Sequence, residues 1–221
     1  MTLTVMLAQL SKGMLVTVEI FVVTLLFSLP LGLLVCFGRM SKSKVIRGIV
    51  SAYISIMRGT PLMLQLMVVY FGPYFIFGIR ISMSYSLIAV FIAFVINYAA
   101  YFAEIYRGGI NSIDRGQYEA AHALGLSRKQ TMFDIILPQT MKAILPPVVN
   151  EAITLVKDTA LVSSLAVVDL MKATNSAVNR MTSLTPFFYA AIIYLLMTFV
   201  LTLIAGRLEK YFSRYDAKEE W

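Results

Sequence analysis

Cysteine, histidine and tryptophan occur once each in the 221 residues, and charged side chains make up only 14% of the chain. A single cysteine, Cys36, cannot close an intrachain disulfide or assemble a thiolate metal site. The lone histidine, His122, has no second His or Cys to complete a metal site and reads as a solvated helical residue. Soluble domains carry about a quarter charged residues. An apolar fraction of 59% and a mean hydropathy of +0.78 therefore place the chain in the membrane class and exclude disorder, collagen and coiled coil. No long polar stretch is present, so a large extramembrane domain is excluded. The phosphate-cradling pattern G-x-x-x-x-G-K-[ST] is also absent.

What the sequence has is long apolar runs. A bilayer span needs about 20 predominantly apolar residues. Five segments meet that requirement, at about 13–38, 54–79, 83–106, 141–168 and 186–206. The first exceeds a signal-peptide core and is followed by Arg39 and Lys42 instead of a small-residue cleavage site, so it is expected to be retained. The expected fold is an all-α membrane protein of five transmembrane helices in one permease-sized domain, 1–221.

Basic residues orient it. Thirteen of the 19 Lys and Arg fall on one side: Arg39, Lys42, Lys44 and Arg47; Arg107, Arg115, Arg128, Lys129 and Lys142; Arg207, Lys210, Arg214 and Lys218. Lys12, Arg80, Lys172 and Arg180 fall on the other, with Arg58 and Lys157 at or within spans. Loops rich in Lys and Arg stay cytoplasmic. The N-terminus is therefore expected outside, the C-terminus inside and the 107–140 loop inside. The net charge of +7 is explained without nucleic acid.

That loop reads as helix, tight turn, helix. Asp114 can cap the first helix, and Gly125 supplies the left-handed position that ends it. Ser127 with Gln130 forms a capping-box pattern opening the second, and Pro138 marks where the second can no longer simply continue. Three readings fit this spacing: amphipathic pieces resting on headgroups, a DNA-reading helix-turn-helix, or a docking knob for a partner. About 35 residues tethered at both ends leave no room for the third helix that a DNA-binding domain needs.

Glu119-Ala120-Ala121, three residues, Gly125, nine residues, Ile135, one residue and Leu137-Pro138 is similar to the EAA signature of bacterial ABC importer permeases. Arg58-Gly59-Thr60-Pro61-Leu62, the run Asn97 to Ile110 and Lys157-Asp158-Thr159-Ala160-Leu161 resemble the polar amino acid uptake family of those permeases, and the likeness covers nearly the whole chain. Ala160 departs from the serine common there.

The resemblance implies a bacterial inner-membrane subunit that moves a polar amino acid and is not an enzyme. It implies a dimer with itself or a related permease, two ABC ATPase subunits carrying ATP and Mg, and an extracytoplasmic amino-acid-binding protein. It assigns ATPase coupling to Glu119, Ala120, Ala121, Gly125 and Leu126, while the chain itself holds no cofactor or metal.

Costly polar residues within the spans mark the pathway. Glu151, Lys157 and Asp158 are each opposed by roughly 3 kcal/mol at a bilayer centre on insertion scales. Asn150, Thr154 and Asp158 recur every four residues, and Glu151 lies seven before Asp158, so one helical face is polar. In the third span Asn97, Tyr101 and Glu104 share a face, and the two stripes are expected to oppose each other. Asp158 can receive an α-amino group, and a helix break at Asp158-Thr159 can aim N–H groups at a carboxylate. Equally, Lys157 and Asp158 can pair with neighbouring helices and only hold the fold. An ion-coupled carrier remains the rival transport class, although no internal repeat is visible.

Overall fold

The computed structural model describes residues 2–82 and 84–212. All regular structure among them is helical, without strands. Arg214 and Lys218, and Met83 at the expected start of the third span, lie outside the described residues.

Helix α1, Leu3–Arg39, is 37 residues long. At 1.5 Å per residue it reaches about 55 Å, well beyond a bilayer's apolar thickness. It begins ten residues before the expected boundary, because Leu3, Val5 and Leu7 continue the apolar pattern without a breaker. Gly13, Thr17, Ile20, Thr24, Ser28, Gly32 and Cys36 form its buried face. The small residues in this stripe allow close packing against α4, Tyr85–Asn111, the most extensive helix contact in the fold.

The expected second span is two helices. Amphipathic α2, Lys44–Gly59, is capped by Ser43. Apolar α3, Leu62–Phe77, leaves it at 107°. Pro61 explains the break, since the residue before proline is pushed out of the helical region, and Thr60 has an extended φ/ψ of −122°/147°.

The polar connection after α4 holds α5, Arg115–Ala123, and a one-turn α6, Arg128–Gln130. A π-helical segment, Thr131–Ile136, then runs directly into α7, Leu137–Asp158. Pro138 does not stop the chain as expected. It sits where the π segment passes into α7, and the wider bonding there, with Leu137 N–H on the Met132 carbonyl, already departs from the α-helical ladder that a proline would interrupt. The second loop helix and the next span are therefore one rod.

The expected span 141–168 is also not one helix: α-geometry ends at Asp158, a 3-10 segment covers Thr159–Ser164, and an extended stretch reaches Asp169. There Asp169 accepts hydrogen bonds from the backbone N–H of Met171 and Lys172, capping α8, Leu170–Met181. The sequence reading had no helix here. Helix α9, Thr185–Phe212, closes the fold.

Among the described residues, α1, α4 and α9 are each long and apolar enough to cross a membrane, and the bent pair α2–α3 makes a fourth candidate. The main cluster of buried side chains joins Ile20, Leu66, Phe94, Tyr98, Phe102 and Leu155.

Gly109 marks the tightest approach of α4 to α7: a methyl group there would overlap Ile144, whereas one at the adjacent Gly108 would meet nothing within 4 Å. Gly109→Ala should therefore destabilise by about 1–3 kcal/mol through overpacking. Gly108→Ala should be neutral or stabilising by up to about 1 kcal/mol. Thermal melts of the two variants in one detergent check the contrast.

Candidate functional site

Two constellations stand out, one in the α5–α6 turn and one where helix breaks meet α4. In the turn, Asp114 accepts from Gly116 N–H at 2.6 Å and opens α5. Gly125 adopts a φ of +73°. The N–H of Gly125 bonds the His122 carbonyl and that of Leu126 bonds the Ala121 carbonyl, each at 3.0 Å, which is a complete Schellman closure. The capping box is present as expected: Gln130 N–H donates to Ser127 Oγ at 3.3 Å, and Ser127 N–H donates to Gln130 Oε1 at 3.0 Å.

Of the five residues expected to couple, Glu119, Ala120 and Gly125 are exposed, while Ala121 is buried. Leu126 is half-buried and lines a cavity of about 320 Å³ with Tyr118, His122 and Arg128. Gln139 on α7 donates to Gln117 on α5 at 3.1 Å and ties the knob to the rod. Because the second helix is fused to α7, it cannot lie in a DNA groove as an independent recognition element. The described residues contain no group of three or more metal-ligating side chains.

The second constellation starts from the broken end of α2. A helix ending inside an apolar phase leaves carbonyls that need donors. Gln65 Nε2 donates to the Met57 carbonyl at 2.9 Å and to Thr60 Oγ1 at 2.8 Å. Asn97 Nδ2 donates to the same Met57 carbonyl at 3.0 Å and to Gln65 Oε1 at 2.9 Å. Asn97 is thus buried against α2 and α3 and does not face α7.

Glu104 likewise turns to arginines. Arg107 grips it with Nη2 at 2.6 Å and Nε at 3.0 Å. Arg39 and Arg58 each stand 3.9 Å away. The Arg58 guanidinium also lies 5.3 Å from the centre of the Tyr101 ring, a cation–π distance. The two stripes expected to oppose each other therefore diverge, because α2 and α3 fill the space beside 97–104.

Tyr98, absent from the expected stripe, makes a polar contact between α4 and α7: its hydroxyl donates to Asp158 Oδ2 at 2.7 Å. The charges of Asp158 and Arg58 both act on Glu151. Thr154 Oγ1 turns back to the Asn150 carbonyl at 3.1 Å. Thr159 is buried, with its hydroxyl on the Val156 carbonyl at 2.7 Å.

The helix break at 158–159 does not release N–H groups as expected, since the Thr159 amide stays bonded to Leu155 within the α-to-3-10 transition. Lys157 is exposed and points away from Asp158, in keeping with their 100° separation.

The arrangement offers two carboxylates, Glu151 and Asp158, a phenol donor from Tyr98, and an arginine, Arg58, whose charge acts on Glu151. The sequence pattern places Arg58 at or within a span and does not single out Gln65 or Tyr98. The signal for Gln65 was a lone amide inside the run Leu62–Met67. Nothing in the sequence distinguished Tyr98 from Tyr101.

A family model described as "Binding-protein-dependent transport system inner membrane component" matches residues 13–214. A relative from Rickettsia felis, described as a putative glutamine transport system permease protein GlnP, is 38% identical over 200 residues and covers 90% of each chain. The arginine transport system permease protein ArtQ of Bacillus subtilis is 38% identical over 206 residues, with 93% of each chain covered. A crystal structure of an amino acid ABC transporter with histidines superposes with a TM-score of 0.85 at 33% identity, over 92% of this chain and 94% of that one. The MetNI methionine ABC transporter, at 18% identity and a TM-score of 0.72, shares the fold.

Tyr98→Phe removes the donor to a carboxylate that is largely withdrawn from solvent. It should lower stability by about 1.5–3 kcal/mol, the worth of a hydrogen bond to a charged group. Phe102→Tyr should not restore the loss, and paired melts of the two variants and their combination check this.

Proposed function

This chain belongs to the family of binding-protein-dependent transport system inner membrane components, and from that premise we propose that it is the permease subunit of an ATP-driven ABC importer that carries a polar amino acid. It is not itself an enzyme; ATP hydrolysis belongs to a separate partner chain, which binds ATP and Mg²⁺.

The observation that carries the mechanism is the rod from Ser127 through the π segment to Asp158, which joins an exposed knob to the acidic end of the pathway. Movement of the knob by a closing ATPase pair reaches Glu151 and Asp158 without an intervening loop. Glu119, Ala120, Ala121, Gly125 and Leu126 form the coupling knob. Pro146 and Pro147 lie inside the rod and remove backbone hydrogen bonds there, giving it a place to bend.

For the cargo, Asp158 and Glu151 receive the α-ammonium group, and Arg58, held over Tyr101, receives the carboxylate. Tyr101 and Thr154 border the passage around them, while Asn97, Glu104 and Thr159 hold the helices that wall it. Glutamine, arginine and histidine in the relatives' descriptions are all polar amino acids, which supports this substrate class.

Helix α7 with its 3-10 extension acts as a fifth crossing that the polar face disqualifies on composition alone. The N-terminus lies outside and the 107–140 loop and C-terminus inside, following the basic residues. Two permease chains, identical or related, enclose the pathway in the bacterial cytoplasmic membrane, with two ATPases below and a binding protein for the amino acid outside.

A thiol introduced as Ala123→Cys should react with an impermeant maleimide in everted vesicles and stay unreactive in intact cells. Cys36 is buried and adds little background. Labelling in intact cells would reverse the topology. Gly125→Val forces a β-branched residue into a φ of +73°, a strain of about 1–3 kcal/mol. It should abolish stimulation of a co-expressed ATPase while the chain still inserts, and undiminished stimulation would remove the knob from the mechanism.

A further inference from the structure

Helix α7 has a covered face and an open one. Ile144, Leu155 and Val156 are buried, and the helix rests on α4 and α9. Ala143, Pro146, Pro147, Asn150 and Lys157 are exposed, and Thr154 among them is half-buried. Among the described residues 142–167 no large apolar side chain is exposed, whereas α9 exposes Leu195, Leu196, Phe199 and Val200. The open face of α7 thus lacks what a lipid-facing surface carries.

Lys157 sharpens the point. It takes part in no hydrogen bond or ion pair among the described residues. The neighbouring Asp158 meets Tyr98, which stands nine positions from Arg107 and thirteen from Tyr85, about 14 and 20 Å along α4. An ammonium at that depth reaches neither membrane surface and requires a counter-charge or a water-filled space. Its own helix supplies no partner: Asp158 leaves the axis about 100° away, and Glu151 lies about 9 Å lower and about 120° round.

We propose that the open face of α7 is where a second copy of this chain docks, with Lys157 of each copy donating to the partner's Asp158. Ala143, Pro147, Asn150 and Thr154 recur at spacings of four, three and four, a seam of small and polar residues along which two helices can pack closely. At 100° per residue, Lys157 lies about 50° to one side of that seam and Asp158 about 50° to the other. A two-fold axis along the seam sets each residue against the opposite flank of its mate, at heights about 1.5 Å apart. The angle that keeps Lys157 from its own Asp158 therefore delivers it to the partner's.

Asp158 has room for this contact, since Tyr98 takes Oδ2 and nothing among the described residues donates to Oδ1. Cargo and lysine do not compete for one charge. In the transport reading above, the cargo brings a single ammonium to two carboxylates, Glu151 and Asp158, and the partner's Lys157 balances the negative charge left over. The acidic end of the pathway is complete only in the pair.

Full-length protein, in the assembly in which it purifies, is treated with dicyclohexylcarbodiimide, which joins a carboxylate to an adjacent amine as an amide and leaves as its urea. A covalent dimer should appear on a denaturing gel, and its digest should contain Lys157 joined to the partner's Asp158. Lys157→Arg should keep the dimer in native mass spectrometry and lose that link. Lys157→Asp should raise the dimer dissociation constant by about ten-fold or more, as like charges across an interface do, and so should Asp158→Lys. Co-expressed under different tags, those two variants carry opposite charges on facing flanks and should co-purify, a rescue that a folding defect would not show.

A wild-type dimer without the 157–158 link, or undiminished dimers of Lys157→Asp, would overturn the contact. The pairing rests on the reading that two permease chains enclose the pathway. Copies that co-purify without the link sink the lysine contact alone, whereas a chain recovered only as a monomer sinks the two-chain reading with it. Neither ATP nor amino acid enters the readout, so the cargo and coupling assignments stand or fall separately.

Discussion

The interaction on which the rest of this structure depends is the capture of one backbone carbonyl, that of Met57, by two side-chain amides. A helix that ends within an apolar phase exposes acceptors that lipid cannot satisfy, each at a cost of several kcal/mol. Gln65 and Asn97 both donate to that carbonyl, and Asn97 also donates to Gln65 Oε1. With that debt settled, α2 can stop at Gly59 and α3 can leave at 107°. The break in turn places Arg58 over Tyr101 and within reach of Glu104. A polar cluster in the middle of an apolar chain is thus the consequence of a broken helix whose ends are properly bonded.

A second break, at the other side of α4, has a different origin. Helix α7 loses α-geometry at Asp158 and narrows into a 3-10 segment, and the Tyr98 hydroxyl fixes the carboxylate at that point. Helix α4 stays unbroken from Tyr85 to Asn111 and presents Tyr98 to one break and Asn97 to the other, adjacent residues that point in directions about 100° apart. One straight helix thereby orders two bent ones. The rod below Asp158 keeps continuity down to the Ser127 cap, and Gln139 locks it to α5. Force applied to the knob has a continuous helical route to the carboxylates, with Pro146 and Pro147 as the point where it can bend and Gly109 letting α7 lie close against α4.

Local signals were legible because they act over four or five residues. Asp114, Gly125 and the Ser127–Gln130 box all cap as their chemistry requires, since each involves atoms a turn apart. Pro138 misled for the same reason: a proline stops a helix only in its interior, and whether residue 138 is interior depends on the π segment before it. Apolar length located α1, α4 and α9 but could not show that 54–79 bends, because Gly59-Thr60-Pro61 permits a turn of any angle. The helix at Leu170–Met181 went unseen because its polar sequence resembles a loop until Asp169 caps it and α1 and α9 cover it.

The sequence by itself determined the class, the apolar segments, the capped turn and the family resemblance, all of which depend on composition or on contacts within one or two turns. Tertiary structure decided the partners of each buried polar group. Asn97, Tyr98, Tyr101 and Glu104 lie within eight residues of one helix, yet one meets an amide, one a carboxylate, one a guanidinium and one three arginines. A helical repeat fixes the angle at which a side chain leaves the axis, but what stands at that angle is set by the crossing of other helices. In this fold, those crossings follow from two breaks whose geometry no single segment encodes.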